Sequence, residues 1–158
     1  MSTRSIIAIK NSDGTYKSVY CHSDGYPSYN GRMLKTYYNT EAQARALISL
    51  GGISIIKERL APNPGERHGF EYDERAEGVT VAYHRDRKEP LEIYNYNLFG
   101  QVVEAAKDCY AAFVYLFKDG KWYYSSTADL SKASYNGVNK RFCDSIMKLL
   151  TNKAIKED

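Results

Sequence analysis

Two pairs of apolar runs, each joined by Asp-Gly, restrict the fold of this 158-residue chain more than any other feature. Ser5–Ile9 and Thr15–Cys21 flank Asn11-Ser-Asp-Gly14, while Ala111–Phe117 and Lys121–Ser126 flank Lys118-Asp-Gly120. Asp-Gly readily adopts the positive backbone angles that a tight antiparallel turn requires, so each pair predicts a β-hairpin. The first gives strands at about 4–10 and 15–22. By the two-residue period, Tyr16, Ser18, Tyr20 and His22 share one face of the second strand, and Lys17, Val19 and Cys21 the other.

Between the hairpins the pattern turns helical. Met33, Leu34, Tyr37 and Tyr38 recur at helical spacing, Asn39-Thr40 before Glu41 starts a second helix through Leu50, and Gly51-Gly52 ends it. Ile53–Leu60 reads as either a short strand or a helical turn. Two prolines and two glycines make 61–69 a loop. Phe70–Tyr72 is expected as a short edge strand. Val79–His84 should be a strand that turns through Arg85–Pro90 and pairs with Leu91–Tyr96. An amphipathic helix follows at about 97–108, and a last one at 137–152 aligns Val138, Phe142, Ile146, Leu149 and Leu150, leaving 154–158 as a frayed tail. The expectation is one α+β domain over 1–158: a mostly antiparallel sheet built from hairpins, with helices packed on one face.

Composition sets the outer bounds. No apolar run is long enough to span a bilayer, and Met1-Ser-Thr-Arg4 leads at once into a strand, which argues against a signal peptide or a membrane partner. With 22 basic and 19 acidic residues, the net charge of +3 ranks nucleic acid below other partners. Cys21, Cys109 and Cys143 are too widely spaced for a zinc knuckle or a disulfide framework, and a reducing cytoplasm suits them. Cys21 and His22 point to opposite faces of one strand, so no catalytic cysteine is expected. Fifteen tyrosines against five phenylalanines is unusual, and such amphipathic side chains suit a surface or pocket.

The most chemically varied stretch is Tyr20–Arg32, which reads as a strand-to-helix loop. Tyr20, Tyr26 and Tyr29 are candidates for stacking on a ligand, and Arg32 for an anion. His22-Ser-Asp24 and His84-Arg-Asp86 form two His-x-Asp triplets at strand ends, where residues two apart project the same way. With His68 they could build an acid/base or metal site. Such spacing also arises whenever a histidine caps a strand and an aspartate closes a turn. Arg85 and Arg87, beside Arg67-His68 if the loops gather at one end of the sheet, would suit phosphate, nucleotide or acidic protein partners.

Several of these residues carry a resemblance. Thr3-Arg-Ser5, Asp13-Gly-Thr-Tyr16, Tyr20-Cys-His22, Asp24-Gly-Tyr-Pro27, Gly31-Arg32 and Leu47–Gly51, with weaker agreement at Glu77–Val79 and Tyr83–Arg87, resemble a family of small proteins carried by bacteriophages and prophages. Members typically show Tyr-Cys-His-Trp-Asp-Gly-Tyr, and Ser23 stands here where that family has tryptophan. The resemblance implies a phage accessory setting; joined to the Tyr- and Arg-rich loops without a catalytic constellation, it leads to the expectation of a protein that acts in the host cytoplasm by binding a host protein or a nucleotide-like small molecule, antagonising a host defence, without a cofactor. The alternative is a small metal-dependent hydrolase or nuclease using His22, Asp24, His84 and Asp86, with nucleic-acid binding third.

Overall fold

The computed structural model describes residues 2–135 and 143–156. Among them eight strands form one sheet: β1 (Ser5–Lys10), β2 (Tyr16–Cys21), β3 (Ile53–Ile55), β4 (Val81–Ala82), β5 (Tyr94–Tyr96), β6 (Phe113–Lys118), β7 (Lys121–Ser126) and β8 (Lys148–Leu149). Their order is β4-β3-β2-β1-β6-β7-β8, with β5 also paired to β2. The helices are α1 (Arg32–Tyr37), α2 (Glu41–Ile48), α3 (Tyr83–Arg87), α4 (Phe99–Asp108), α5 (Thr127–Tyr135) and α6 (Asn152–Lys156).

Both Asp-Gly hairpins form. At the β6–β7 tip Asp119 and Gly120 take φ of 52° and 76°, the two positive angles of a type I′ turn. The β1–β2 turn is longer: the Asn11 amide donates to the Thr15 carbonyl at 2.7 Å, and the Asp13 carboxylate accepts from the Thr15 amide at 3.0 Å. The hairpins then lie side by side through a parallel β1–β6 ladder, Ser5 opposite Phe113 to Ile9 opposite Phe117. One edge of β2 is shared. Its Tyr16–Ser18 half pairs antiparallel with β5, and Cys21 pairs parallel with Ile53 of β3.

The α+β class with a mostly antiparallel sheet stands, but helices cover both faces rather than the one expected. Ile7 and Ile9 pack with Met33, Leu34, Leu47 and Ile48 from α1 and α2, whereas Ile6 and Ala8 pack with Val102, Val103 and Ala106 of α4 and Leu130 of α5. The reason is visible in β1 and β6: Ile-Ile-Ala-Ile and Val-Tyr-Leu-Phe are apolar at successive positions, so both sides of the central strands need cover. Helix α5 has its own start signal, Ser126-Thr-Ala-Asp129, whose Ser126 Oγ accepts from the Asp129 amide at 3.1 Å.

Several local expectations are corrected. The edge strand at 70–72 is absent, and Tyr72–Glu74 forms a 3₁₀ turn instead. The strand at 79–84 shrinks to β4, because Tyr83–Arg87 coils into α3, which Lys88 ends at φ 58° with its amide on the His84 carbonyl. Leu91–Tyr96 is therefore no hairpin partner for it, and β5 adds to β2. In the expected helix at 137–152, residues 137–142 lie outside the described residues, while 143–152 holds a 3₁₀ turn at Asp144–Ile146, then β8 and the start of α6. Tertiary bonds override the apolar stripe there. Leu150 donates its amide to the Trp122 carbonyl at 3.0 Å, and the buried Asp144 carboxylate meets Lys10 and Lys118 at 2.9 Å each and accepts from the Tyr16 hydroxyl. Helix α6 runs to Lys156, inside the tail expected from 154.

Candidate functional site

Most of the varied Tyr20–Arg32 stretch is consumed by the fold. Gly25 sits against the start of the chain, its amide donating to the Thr3 carbonyl at 2.8 Å and its carbonyl accepting from the buried Tyr115 hydroxyl at 2.6 Å. A Cβ there would stand 2.8 Å from the Thr3 oxygen, so glycine is required. Pro27–Gly31 winds into a π-turn, and the fully buried Asn30 donates to Ser5 Oγ at 3.1 Å and to Cys21 Sγ at 3.4 Å. Burial pushes the Cys21 thiol up to about 11, which removes it as a nucleophile.

The candidate residues of this loop are accounted for one by one. Tyr29 donates to the Ile56 carbonyl at 2.7 Å, and Arg32 lies exposed, 6.0 Å from the centre of the Tyr29 ring. Asp24 takes a left-handed φ of 54° and accepts from Tyr26 Oη at 3.1 Å. Half-buried His22 shares a 2.6 Å hydrogen bond between its Nδ1 and the Tyr20 hydroxyl.

The second triplet is divided between surface and interior. His68 is 2% exposed, with Nδ1 accepting the Ala76 N–H at 3.0 Å, so Nε2 carries the proton and donates to Asp86 Oδ2 at 3.1 Å. Asp86 also receives Arg85 Nε at 2.8 Å and the Ala82 amide at 2.8 Å, while Arg85 reaches on to the Leu60 and Thr80 carbonyls. Burial alone would raise the Asp86 carboxyl, but these donors hold it below the usual carboxylate value. The group is a brace that fastens the 57–80 segment to α3. His84 is exposed and holds the Glu89 carbonyl through Nδ1 at 2.7 Å; Arg87 lies 4.2 Å from the Phe70 ring centre and pairs with Glu89. Thus His68 and Arg85 come together through Asp86, while Tyr20 pairs with His22, Asp24 with Tyr26 and Tyr29 with Arg32. Among the described residues no three of His, Cys, Asp and Glu gather as metal ligands would.

A groove of about 410 Å³ opens instead on the α4 face of the sheet. Ile6 and Ser18 form its floor, Tyr20, Tyr94 and Tyr96 its aromatic wall, and Glu92, Ala105, Asp108 and Cys109 the remaining lining. Tyr94 and Tyr96, two apart on β5, share a face, with ring centres 6.4 Å apart and planes within 11°. Tyr94 is 44% exposed and donates to Glu92 Oε2 at 3.1 Å, which holds that carboxylate beside the rings. Burial pushes the Tyr20 phenol up to about 12 and raises Tyr94 and Tyr96 as well, so all three are neutral donors and apolar faces near neutral pH. Arg4 reaches the far end through a 3.2 Å bond to the Cys109 carbonyl.

Only Tyr20 of this set was a sequence candidate. Tyr94, Tyr96, Glu92 and Asp108 were missed because β5 was paired with the wrong strand. The signal was the alternation Tyr94-Asn-Tyr96: once β5 lies on β2, with Tyr94 opposite Ser18 and Tyr96 opposite Tyr16, the tyrosines fall beside Tyr20. The lining offers ring faces, the carboxylates of Glu92 and Asp108, the Cys109 thiol and the Tyr20 hydroxyl, which is bound to His22 Nδ1.

No protein-family model, curated protein or solved structure matches this chain. No helix among the described residues is long and apolar enough to cross a membrane.

Proposed function

We propose that this is a phage accessory protein that acts in the host cytoplasm by binding, antagonising a host defence system through the Tyr20–Tyr94–Tyr96 groove. The observation that carries the binding reading is the groove itself. It presents three tyrosines, which lose little side-chain entropy on contact and give both apolar area and hydroxyls, at a surface where the Tyr94 ring is 44% exposed. The resemblance at Thr3-Arg-Ser5 and Tyr20-Cys-His22 through Pro27 supplies the phage setting. A host protein is the favoured partner over a nucleotide-like molecule, because phosphate groups entering the groove would meet Glu92 and Asp108.

The reading is tested in cells. Hosts carrying a panel of defence systems are challenged with a phage those systems block, with the intact protein or its Tyr94→Ala variant expressed. The intact protein restores plaques against one of the systems and Tyr94→Ala does not. Failure of the intact protein across the panel removes the antagonist reading, and full activity of Tyr94→Ala moves the binding surface elsewhere.

A further inference from the structure

We infer that the groove takes the side chain of a lysine or arginine presented by the protein partner. This rests on the binding reading above and specifies what enters. Two features of different kind converge on it. The first is the aromatic wall: Tyr94 and Tyr96 stand nearly parallel, Tyr20 lines the same groove, and tyrosine faces attract a cation through the ring quadrupole. Their phenols are neutral near physiological pH, so each ring keeps that quadrupole without becoming an anion.

The second is the charge around the wall. Glu92 is steered to the rings by the Tyr94 hydroxyl, and Asp108 stands at the C-terminal end of α4, where the last carbonyls add partial negative charge. Among the described residues the lining holds no lysine or arginine. Arg4 bonds to the Cys109 carbonyl at 3.2 Å, and Lys107 faces Glu104 at 3.7 Å. Two carboxylates against the single engaged guanidinium of Arg4 leave the lining net acidic.

An aliphatic stem passing over Ile6, Ala105 and the ring faces, with its charged head at Glu92 and Asp108, uses every part of the lining. A nucleotide would gain the stacking and lose it to repulsion at the phosphates. An uncharged apolar side chain would gain nothing from the charges of Glu92 and Asp108. The shared requirement is therefore a long stem ending in a cation.

The full chain, with its tyrosine rings ¹³C-labelled, is titrated with the capped pentapeptide Gly-Ser-Arg-Ser-Gly and with versions carrying lysine, citrulline or norleucine at the centre. Arginine and lysine peptides should shift the Tyr20, Tyr94 and Tyr96 signals saturably, and citrulline and norleucine should bind about tenfold more weakly or worse. Glu92→Gln with Asp108→Asn should abolish the preference for charge while the Tyr20 and Tyr96 signals of the unbound protein keep their native positions. Equal binding of citrulline, saturable shifts confined to other tyrosines, or no response to the arginine peptide each overturns the inference. Its failure is separable from failure of the binding reading. Loss of activity in Tyr94→Ala cells with no response to any peptide keeps the groove and discards the cation. A peptide-responsive groove with fully active Tyr94→Ala cells discards the groove's role in defence.

Discussion

The interior beneath the Tyr20–Arg32 loop and the groove on the α4 face are both built on tyrosine, and they use it in opposite senses. Beneath and around the loop the hydroxyls point inward to fixed acceptors: Tyr29 to the Ile56 carbonyl, Tyr38 to that of Lys57 and Tyr115 to that of Gly25, all at 2.6 to 2.7 Å. Their rings fill the core and their polar tips satisfy loop carbonyls that would otherwise be buried without donors. In the groove the rings face outward, and Tyr94 hands its hydroxyl to an exposed carboxylate. Chemical variety in a sequence therefore marks either use. What separates them is whether the polar tip is needed to close the chain on itself.

The inward use should be costly to disturb, most of all where Tyr16 meets Asp144. Asp144→Ala would strand the Tyr16 hydroxyl and leave the ammonium of Lys118, 12% exposed, without its carboxylate. Breaking a buried ionic group from one side costs about 3–5 kcal/mol, to be read as a lowered urea midpoint. The same site carries a pH dependence. Burial alone would raise the Asp144 carboxyl, but Tyr16, Lys118 and Lys10 hold it below its ordinary 3.8. A carboxyl depressed in the folded state contributes stability that is present above the unfolded value and lost as pH falls through the folded one. The wild-type midpoint should therefore fall as pH drops below 3.8, and Asp144→Asn should flatten that fall.

Next in size is Gly25→Ala. The added methyl group would press on the Thr3 oxygen at 2.8 Å and on Arg4 backbone atoms at 3.0 Å, neither of which can rotate away. Forced overpacking of this kind costs about 1–3 kcal/mol. Tyr115→Phe should come below it, at about 1–2 kcal/mol, because it removes one donor from the buried Gly25 carbonyl and leaves the ring in place. Thermal melts of the two variants give the ranking, and an unchanged melt for both would mean that the loop is not the closure it is taken for here.

How much of this was legible in the sequence follows the range of the forces. Asp-Gly turns act over four residues, so both hairpins could be read, as could the Thr40 cap of α2, whose side chain accepts from Gln43. The parallel β1–β6 contact and the β5–β2 pairing join residues about eighty to a hundred positions apart, and no local pattern encodes them. Leu149 and Leu150 kept a helical spacing that the Trp122 and Asp144 bonds overrode. The candidate site suffered most from this. His68, Arg85 and Asp86 meet, but their meeting closes a brace, whereas Tyr94 and Tyr96 gained their setting only from a long-range strand pair.

The smallest expected change in stability is the one that tests the comparison hardest. Tyr94→Ala removes a ring that is 44% exposed, whose hydroxyl bonds only an exposed glutamate and whose neighbour Tyr96 remains anchored on β2. The loss should stay under about 1 kcal/mol, the range of a cross-strand surface contact, while partner binding disappears. The measurement is a urea midpoint set beside that of Tyr115→Phe in the same buffer. If Tyr94→Ala falls further than Tyr115→Phe, its ring is packing the sheet much as the interior tyrosines do, and the two regions are one. If it melts with the wild type and yet loses its partner, the tyrosines of the groove are held at the surface for recognition, at the expense of little else in the fold.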